Sequence, residues 1–340
     1  MDMNDERTMF ETGLERRSAR ERLTTLLGEQ AIIDLHKRSD WMGWYAVVSC
    51  WVFIAALLAV ATLSIQWMGW WSAPVVIACL FLLGGRILGL AILSHESSHR
   101  TLFENAKVND FMGTWFCGAP IYLDLVKYRK HHAQHHVHTG TDKDTDLPLT
   151  VGFPTSKVSM MRKFFRDFTG LTGVKSLIGL ALMNAGVLRW SVSGAAERLE
   201  DRPKTFSGLL RTFFIGSYRT LIFHAAFLAL TIAIGRPEVF ALWWAAYFFT
   251  YPFCIRVRSI AEHAVTERCG DMLKNTRTTQ AGFLARALFA PYHVNLHIEH
   301  HALVSVPWWQ LPKLHRLLQD RQALPEPPSY WEVMKLATAG

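Results

Sequence analysis

Cysteine is scarce in this chain, and its residues form neither a CxxC pair nor a regular spacing: Cys50, Cys79, Cys117, Cys254 and Cys269. A disulfide framework and a thiolate zinc site are therefore not expected. Charged residues make up only 19% of the chain against 50% hydrophobic residues, a balance that excludes a disordered or low-complexity protein. The net charge of +8 is too dispersed for a nucleic-acid-binding domain and is compatible with the anionic face of a membrane.

The most informative absence is local. Residues 41–85 contain no Asp, Glu, Lys, Arg or His. A membrane-spanning helix needs about 20 apolar residues, so this run predicts spans near 45–64 and 74–94. The turn between them is rich in tryptophan, which is typical of the membrane–water interface. We therefore expect a first transmembrane hairpin over 45–94.

A second pair of apolar runs occurs much later in the chain. Residues 212–235 and 238–255 are separated by only two residues, and they predict a second hairpin of spans. The runs 111–123 and 176–188 hold 13 residues each. They are too short to cross comfortably, and their length favours interfacial or re-entrant helices.

The distribution of basic residues predicts the orientation. Lys and Arg number seven in residues 1–43, fifteen in 95–207 and ten in 256–340, against none and one in the two predicted turns. By the positive-inside rule, both termini and the large middle loop are expected in the cytoplasm.

The predicted fold class is therefore an all-α integral membrane protein. Four transmembrane helices form two hairpins, and a cytosolic helical cap holds the remaining chain as part of one domain over 1–340. Its expected segments are a cytosolic lead-in (1–40), the first hairpin (45–94), a cytosolic region (95–207), the second hairpin (212–255) and a second cytosolic region (256–340).

The chain has 15 histidines, and most of them are clustered. The segment LSHESSHR places His95 and His99 four residues apart. The segments YRKHHAQHHVHTG and NLHIEHHAL each contain an HxxHH box, with His132, His135, His136, His297, His300 and His301. Positions i, i+3 and i+4 share one helical face, so each HxxHH box is expected to present three nitrogens to one centre.

A further histidine, His263 in RSIAEHAVTE, follows the last predicted span by about two helical turns. If only four segments cross, every box lies on the cytoplasmic side at a similar depth. Nine imidazoles exceed what one tetrahedral zinc can use, and they suit two metal ions with four or five nitrogens each. Neutral imidazole binds iron, copper, zinc and nickel, so residue type alone does not name the metal.

Two other interpretations compete with a two-metal enzyme. HESSH (95–99) matches HExxH, the zinc-metalloprotease motif, but that motif uses two of the clustered histidines and leaves seven unexplained. A metal transporter would carry a ladder of histidines through the bilayer, whereas these lie at span ends and in loops. The isolated residues His36, His224 and His315 are interpreted as ordinary polar or packing residues.

The box pattern resembles the membrane-bound fatty acid desaturases and their hydroxylase relatives, of bacterial type. That family carries one HxxxH box and two HxxHH boxes around a di-iron centre at the cytosolic ends of four transmembrane helices. The likeness covers most of residues 40–320 in order and spacing. It includes ND with GTW (109–115), YR before the second box and TGTDKDTD after it.

The resemblance implies two iron ions (Fe2+/Fe3+) and, carried over by position, nine metal ligands: His95, His99, His132, His135, His136, His263, His297, His300 and His301. It implies no catalytic side chain beyond these ligands. Four residues are candidates to orient the ligands through hydrogen bonds: Glu96, Glu262, Asn295 and Glu299. Three histidines lie beside the boxes without fitting the pattern, and these are His131, His138 and His293.

The resemblance also implies an oxidoreductase that uses O2 on a fatty acyl or other lipid chain. A fatty acid desaturase is the leading prediction; the alternatives are a hydroxylase, a ketolase or a terminal-alkene-forming decarboxylase. Several positions depart from the family pattern: Asp144-Thr145-Asp146 replaces Asp-Pro-Asp, Leu303-Val304 replaces Phe-Pro, and Ser259 replaces an Asn of the stearoyl-type branch. These departures leave the reaction outcome open.

Electrons must come from another protein. The sequence contains no GxGxxG motif, no cysteine quartet and no fused haem-binding domain. A ferredoxin, a rubredoxin or a cytochrome with its reductase is therefore the expected donor. The expected location is the bacterial inner membrane, with the chain crossing several times and its active site in the cytoplasm.

Overall fold

The computed structural model of the chain describes residues 20–194 and 196–340. This part of the chain is helical and has no β-strand, only isolated bridges between Leu188 and Arg198 and between Gln280 and Ser329. The predicted all-α class is confirmed over these residues. The first 19 residues of the predicted lead-in (1–40) lie outside the described residues.

The helices follow one another with short connections. Residues 20–27 are helical. The first half continues with α1 (Glu29–Leu35), α2 (Asp40–Met68), α3 (Ala73–Ser98), α4 (Ala106–Met112), α5 (Leu125–His138), α6 (Lys157–Phe168) and α7 (Leu171–Asn184). The second half comprises α8 (Phe206–Ala233), α9 (Glu238–Phe249), α10 (Tyr251–His263), α11 (Phe283–Leu288), α12 (His297–Ala302), α13 (Leu311–Gln319) and α14 (Tyr330–Ala337).

Two stretches of the described chain are long and apolar enough to cross a membrane by length and composition. One is Asp40–Ser98, which contains α2 and α3, and the other is α8, Phe206–Ala233. A short 3-10 turn, Gly69–Ser72, separates α2 from α3. The two helices pack together, and Cys50 Sγ on α2 lies 3.7 Å from the Arg86 carbonyl oxygen on α3.

The last predicted span, 238–255, is divided in the structure. Helix α9 ends at Phe249 and α10 begins at Tyr251, with Thr250 between them. Pro252 has no N–H to donate, so the helical ladder cannot continue regularly through this point. Thr250 Oγ1 donates instead to the carbonyl of Leu80 on α3 at 2.7 Å. This hydrogen bond connects the break between α9 and α10 to α3.

The two short apolar runs form short elements. Residues 111–123 contain the end of α4, a π-helical turn Gly113–Gly118 and a 3-10 turn Ala119–Ile121. The run 176–188 lies mostly in α7, which begins earlier, at Leu171. The continuous helices in both places are shorter than a bilayer requires.

Helix α3 lies at the centre of the largest core cluster, which includes the buried residues Leu83, Ile87 and Trp243. Close packing there depends on glycine. A Cβ at Gly84 would come within 2.5 Å of Thr250 Oγ1, and one at Gly85 within 2.2 Å of the Ala287 carbonyl oxygen. Both distances are shorter than real Cβ contacts, so these two glycines allow α10 and α11 to approach α3.

Two local features position the histidine-bearing helices. The Asp124 side chain accepts hydrogen bonds from the backbone N–H groups of Val126 and Lys127 at 3.0 and 3.1 Å, which fixes the start of α5. On the other side, a second core cluster joins Leu23, Leu314 and Leu318 around the third box. The N-terminal residues described here therefore support the C-terminal part of the chain.

Candidate metal centre

Three helix ends and one short helix bring the histidine boxes together. His95 lies in the last turn of α3, and His99 is its C-terminal cap. The second box occupies the last turns of α5, and His263 is the final residue of α10. The third box forms the short helix α12. Boxes that are about 200 residues apart in sequence therefore meet at one place.

The nine histidines divide into two groups, in each of which one ring nitrogen per residue lies within 4.8 Å of all the others. The five-histidine group contains His95, His99, His132, His136 and His300. The four-histidine group contains His135, His263, His297 and His301. Seven of the nine are buried, and His99 and His263 are partly buried.

Each HxxHH box is split between the groups, which differs from the expectation that its three nitrogens face one centre. The residues at i and i+4 stay together: His132 with His136, and His297 with His301. On a helix these positions are about 40° apart, whereas i+3 lies about 60° to the other side of i. The i+3 residues, His135 and His300, therefore reach the opposite group.

The spacing of the ring nitrogens fits shared metal ions. His132 Nε2 and His136 Nε2 are 2.9 Å apart, and His136 Nε2 and His300 Nε2 are 3.1 Å apart. In the four-histidine group, Nε2 of His297 lies 2.8 Å from that of His263 and 3.1 Å from that of His301. Two nitrogens bound to one metal at about 2.1 Å are roughly 3.0 to 3.4 Å apart.

The imidazoles are kept in the form that binds metal. Burial lowers the pKa of six of them well below the ordinary value: His132, His136, His263, His297, His300 and His301. These rings are therefore neutral, and each has a nitrogen lone pair to donate. The buried Nδ1 atoms of His136, His297 and His301 have no hydrogen-bond partner among the described residues. The site thus fits two divalent transition metals with nitrogen ligands.

His135 differs from the other rings because two carboxylates lie beside it. Its Nδ1 lies 2.7 Å from Asp144 Oδ1 and 3.9 Å from Asp146 Oδ2. Burial lowers the pKa of His135, but the charges of Asp146 and Asp144 outweigh it and the net pKa is raised. A carboxylate on Nδ1 fixes the ring orientation and leaves Nε2 for the metal.

Asp146 also fixes a histidine outside the box pattern. His131 Nε2 lies 2.9 Å from Asp146 Oδ1. Burial raises the pKa of Asp146, but His135 and His131 outweigh this effect and lower the pKa to about 2. The Asp-Thr-Asp sequence that departs from the family pattern therefore still supplies two carboxylates at the second box.

Glu96 lies on the outer side of the first box. Its carboxylate accepts hydrogen bonds from Thr101 Oγ1 at 2.9 Å and from the Trp308 backbone N–H at 3.1 Å, and it lies 3.3 Å from His95 Nδ1. Two protein donors and a histidine thus occupy this carboxylate. Glu96 Oε1 lies beside His95 Nδ1 without a hydrogen bond between them, and the hydrogen bond from Trp308 connects the first box to the segment after the third box.

The other candidate orienting residues have different surroundings. Glu262 is buried, pairs with Arg258 and lies 3.5 Å from His297 Nε2. Burial raises the pKa of Glu262 to about 7 against the opposing effect of Arg258. Asn295 donates to the Thr279 carbonyl at 2.7 Å and has no contact with a box histidine among the interactions described.

Glu299 contacts two residues that the sequence did not single out for the site. It accepts a hydrogen bond from Thr278 Oγ1 at 2.5 Å and pairs with His315 Nδ1. His315 was interpreted as an ordinary polar residue, yet it contacts a buried carboxylate within the third box. No local motif marks His315, because it reaches Glu299 from α13.

Sequence reasoning assigned no site role to Tyr128, which belongs to the YR pair quoted before the second box, and it missed Arg258. The Tyr128 ring stacks on His132, with centroids 5.2 Å apart and planes at 8°; its position four residues before His132 was the available signal. Arg258 lies four residues before Glu262 on α10, and this spacing was equally readable. The stacking of Tyr128 on His132 and the ion pair of Arg258 with Glu262, and not a motif, connect both residues to the site.

The remaining histidines have identifiable neighbours. His293 stacks against Trp308, with centroids 6.1 Å apart, and its backbone is left-handed with φ of 58°. His224, on α8, is buried between Tyr122 and Trp244. His36 Nδ1 contacts the Ile32 carbonyl at 2.7 Å. His138 is buried at the end of α5. None of these four belongs to either histidine group.

Comparison with known proteins supports a family assignment. The family model described as fatty acid desaturase matches residues 65–333. The dihydrorhizobitoxine desaturase of Bradyrhizobium elkanii is 26% identical over 272 residues, covering 78% of this chain and 73% of the relative. The sn-1 oleoyl-lipid 12-desaturase of Synechocystis is 23% identical over 295 residues, covering 82% and 78%.

A third relative carries out a different oxidation. The β-carotene 4-ketolase of Protosiphon botryoides is 25% identical over 253 residues, covering 72% of this chain and 53% of the relative. The matched range of the family model contains all nine clustered histidines.

Proposed function

Because the chain belongs to the fatty acid desaturase family, whose model matches residues 65–333, we propose that it is a di-iron, O2-dependent desaturase of fatty acyl or other lipid chains. At the family level, the chain is a membrane oxidoreductase that acts on lipid. The observation that carries the more specific proposal is the division of nine imidazoles into groups of five and four.

In this proposal, each histidine group holds one iron ion. Iron bound there supplies the oxidising chemistry that no side chain can provide for an unactivated C–H bond. The chain's own residues hold and orient the ligands. Asp144 and Glu96 lie against the Nδ1 atoms of His135 and His95, and burial of the surrounding side chains excludes bulk water from the site.

We further propose the four-span topology, with the site on the cytoplasmic side. The predicted turns near 65–73 and 235–238 contact one another, since Arg236 donates to Gln66 Oε1 at 3.0 Å. The histidine-bearing helix ends lie at the other end of the same helices. Trp70 and Trp71 in the first turn are highly exposed, as expected of residues at a membrane interface.

The segment boundaries of the single domain, the bacterial inner membrane and an external electron donor belong to the same proposal. A one-domain arrangement is supported by the shared site, to which 95–207 and 256–340 both contribute ligands. A small iron–sulfur protein or cytochrome would supply the two electrons that each turnover requires beyond those of the substrate.

A ketolase is the second candidate, because relatives with similar coverage of this chain are carotenoid ketolases. The resemblance to the family implies the same di-iron centre for both reactions. We favour desaturation since two of the relatives compared above are desaturases.

Mass spectrometry of total lipids from a host that expresses the chain tests the proposal. A desaturase produces lipids lighter by two hydrogens, whereas a ketolase or hydroxylase adds oxygen. His300 belongs to the third box, and its Nε2 lies 3.1 Å from Nε2 of His136 in the second box. The His300→Ala variant removes this buried imidazole and should abolish any new product. Purified wild-type protein that contains zinc and no iron after iron-replete expression would contradict the di-iron proposal.

A further inference from the structure

The last turn of α3 carries the first box, and side chains from outside the helix hold its backbone carbonyls. Ser97 and Ser98 lie between His95 and His99, which both belong to the five-histidine group. The helix ends before a left-handed residue, Arg100, with φ of 59°, and the Arg100 N–H donates to the Ser97 carbonyl at 3.0 Å. The last carbonyls of a helix have no partner within it, so the Ser98 carbonyl needs a donor from elsewhere.

Arg129, on α5, supplies that donor. Its Nε donates to the Ser98 carbonyl at 3.0 Å, and its Nη2 donates to the Ser97 carbonyl at 3.1 Å. The Ser98 carbonyl belongs to the same planar peptide unit as the His99 N–H. One guanidinium therefore fixes the two peptide units that lead into His99, and the helix dipole also favours a cation at this end of α3.

Arg129 lies on the same face of α5 as two histidines of the five-histidine group. His132 and His136 follow it by three and seven residues, and positions i, i+3 and i+7 share one side of a helix. The His99 ring lies 4.9 Å from each of these two rings, measured between centroids. The face of α5 that provides two imidazoles to the group thus also holds the backbone beside an imidazole of α3.

Three short motifs without an assigned role, ND, GTW and YR, meet at this point. In the ND pair, Asp110 accepts from Arg129 Nη2 at 2.5 Å, and Asn109 Nδ2 donates to the Ser97 carbonyl at 3.0 Å. In GTW, a Cβ at Gly113 would lie 2.0 Å from Ser97 Oγ, so a larger residue does not fit there without a shift. Arg129 is the second residue of the YR pair. All three motifs therefore converge on the backbone of the first box.

We propose that Arg129 is a positioning residue of the metal centre, whose guanidinium sets the distance and angle between the helix ends that carry the first and second boxes. The inference rests on the proposed function, because it assumes that the five-histidine group binds iron. A structural ion pair would need only the charge of Arg129 beside Asp110. Positioning also needs the planar fork, which spans two carbonyls and a carboxylate at once and which lysine lacks.

The test measures the Fe2+ affinity of purified, metal-free protein by anaerobic titration in two backgrounds. His263→Ala leaves the five-histidine group complete, and His95→Ala leaves the four-histidine group complete. In the first background, Arg129→Lys should weaken Fe2+ binding by about 10-fold, because the fork is lost while the charge beside Asp110 is kept. In the second background, Arg129→Lys should leave the affinity unchanged.

Arg129→Gln should weaken the five-histidine group at least as much, and Arg129→Lys decides the question if Arg129→Gln does not fold. Lys127→Gln is the matched control, since Lys127 lies on the same helix and donates to Asn184 Oδ1 at 3.4 Å, away from α3; it should change neither affinity. Undiminished affinity in Arg129→Lys, or equal losses in both backgrounds, would overturn the inference. Absence of Fe2+ binding in both backgrounds with Arg129 intact would instead refute the proposed function.

Discussion

The histidines at i and i+4 of each HxxHH box share a metal group, whereas the histidine at i+3 joins the other group. The second and third boxes therefore each contribute to both groups. A single substitution in one of these boxes affects one group directly and the spacing between the groups indirectly. The contribution of a histidine to the site follows from its angular position on the helix, and not from its membership of a box.

His263 is predicted to be a metal ligand although it belongs to no box. Its Nε2 lies 2.8 Å from His297 Nε2. We expect His263→Ala to lower the iron content from about two to about one per chain and to abolish turnover. The measurements are metal analysis of purified protein and product formation. His293→Ala is the control, because His293 stacks on Trp308 outside both groups; the idea fails if His293→Ala loses iron and His263→Ala does not.

Asp144 is predicted to orient His135 without binding metal. Asp144→Asn keeps the shape of the side chain but removes the negative charge that lies beside His135 Nδ1. We expect a loss of about 10- to 100-fold in activity or metal affinity, with insertion and folding retained. Titration of iron into the metal-free variant measures the affinity. An unchanged affinity and rate in Asp144→Asn would show that His135 is oriented by other contacts, and Asp146 is the nearest alternative.

At the scale of elements, the site depends on how closely helices approach α3. Gly85 allows the backbone of α11 to contact α3, since any Cβ there would lie 2.2 Å from the Ala287 carbonyl oxygen. Arg86 donates to the same carbonyl at 3.0 Å. These contacts fix α11 against α3, and the segment that carries the third box follows α11 in the chain. A change at Gly85 therefore affects the metal centre from a distance.

We expect Gly85→Ala to lower stability by about 1–3 kcal/mol, because the added methyl group forces the packed backbone apart. Gly179→Ala, in α7, is the matched control: it has open space around its Cβ position and should be neutral or stabilising by up to about 1 kcal/mol. The melting temperatures of both variants in detergent provide the measurement. Equal melting temperatures for the two variants would contradict the packing argument.

At the scale of the whole molecule, all histidine-bearing helix ends lie at one end and the turns at Gln66 and Arg236 lie together at the other. This arrangement predicts that the two turns face the side of the membrane opposite to the metal centre. A chain without its five native cysteines and with Gln66→Cys should react with a membrane-impermeant thiol reagent from the outside only.

Glu326→Cys provides the control for that experiment. Glu326 is exposed and lies in the region predicted to be cytoplasmic, so it should react only after the membrane is opened. If the cysteine at position 66 is labelled from the cytoplasmic side in sealed vesicles, the four-span topology is wrong. Labelling of both positions from one side would lead to the same conclusion.

Much of this molecule could be predicted from local sequence. The long apolar runs predicted helices over 45–64, 74–94 and 212–235, and the structure has helices there because such runs bury their backbone polar groups internally. Eight of the nine histidines could be selected because each box is a short helical pattern, and His263 could be selected from its place about two helical turns after the last predicted span. The break at Thr250 was not anticipated, although Pro252 was the available signal.

The sequence by itself determined which imidazoles meet, since their spacing on helices and their places after apolar runs are local properties. Tertiary structure alone decided how they divide, because the partners of His135 and His300 come from other helices. It also decided which carboxylate faces which ring nitrogen. Asp144 reaches His135 because the chain folds back after α5, and His315 reaches Glu299 from α13; the distances and burial behind these contacts are not properties of a sequence motif.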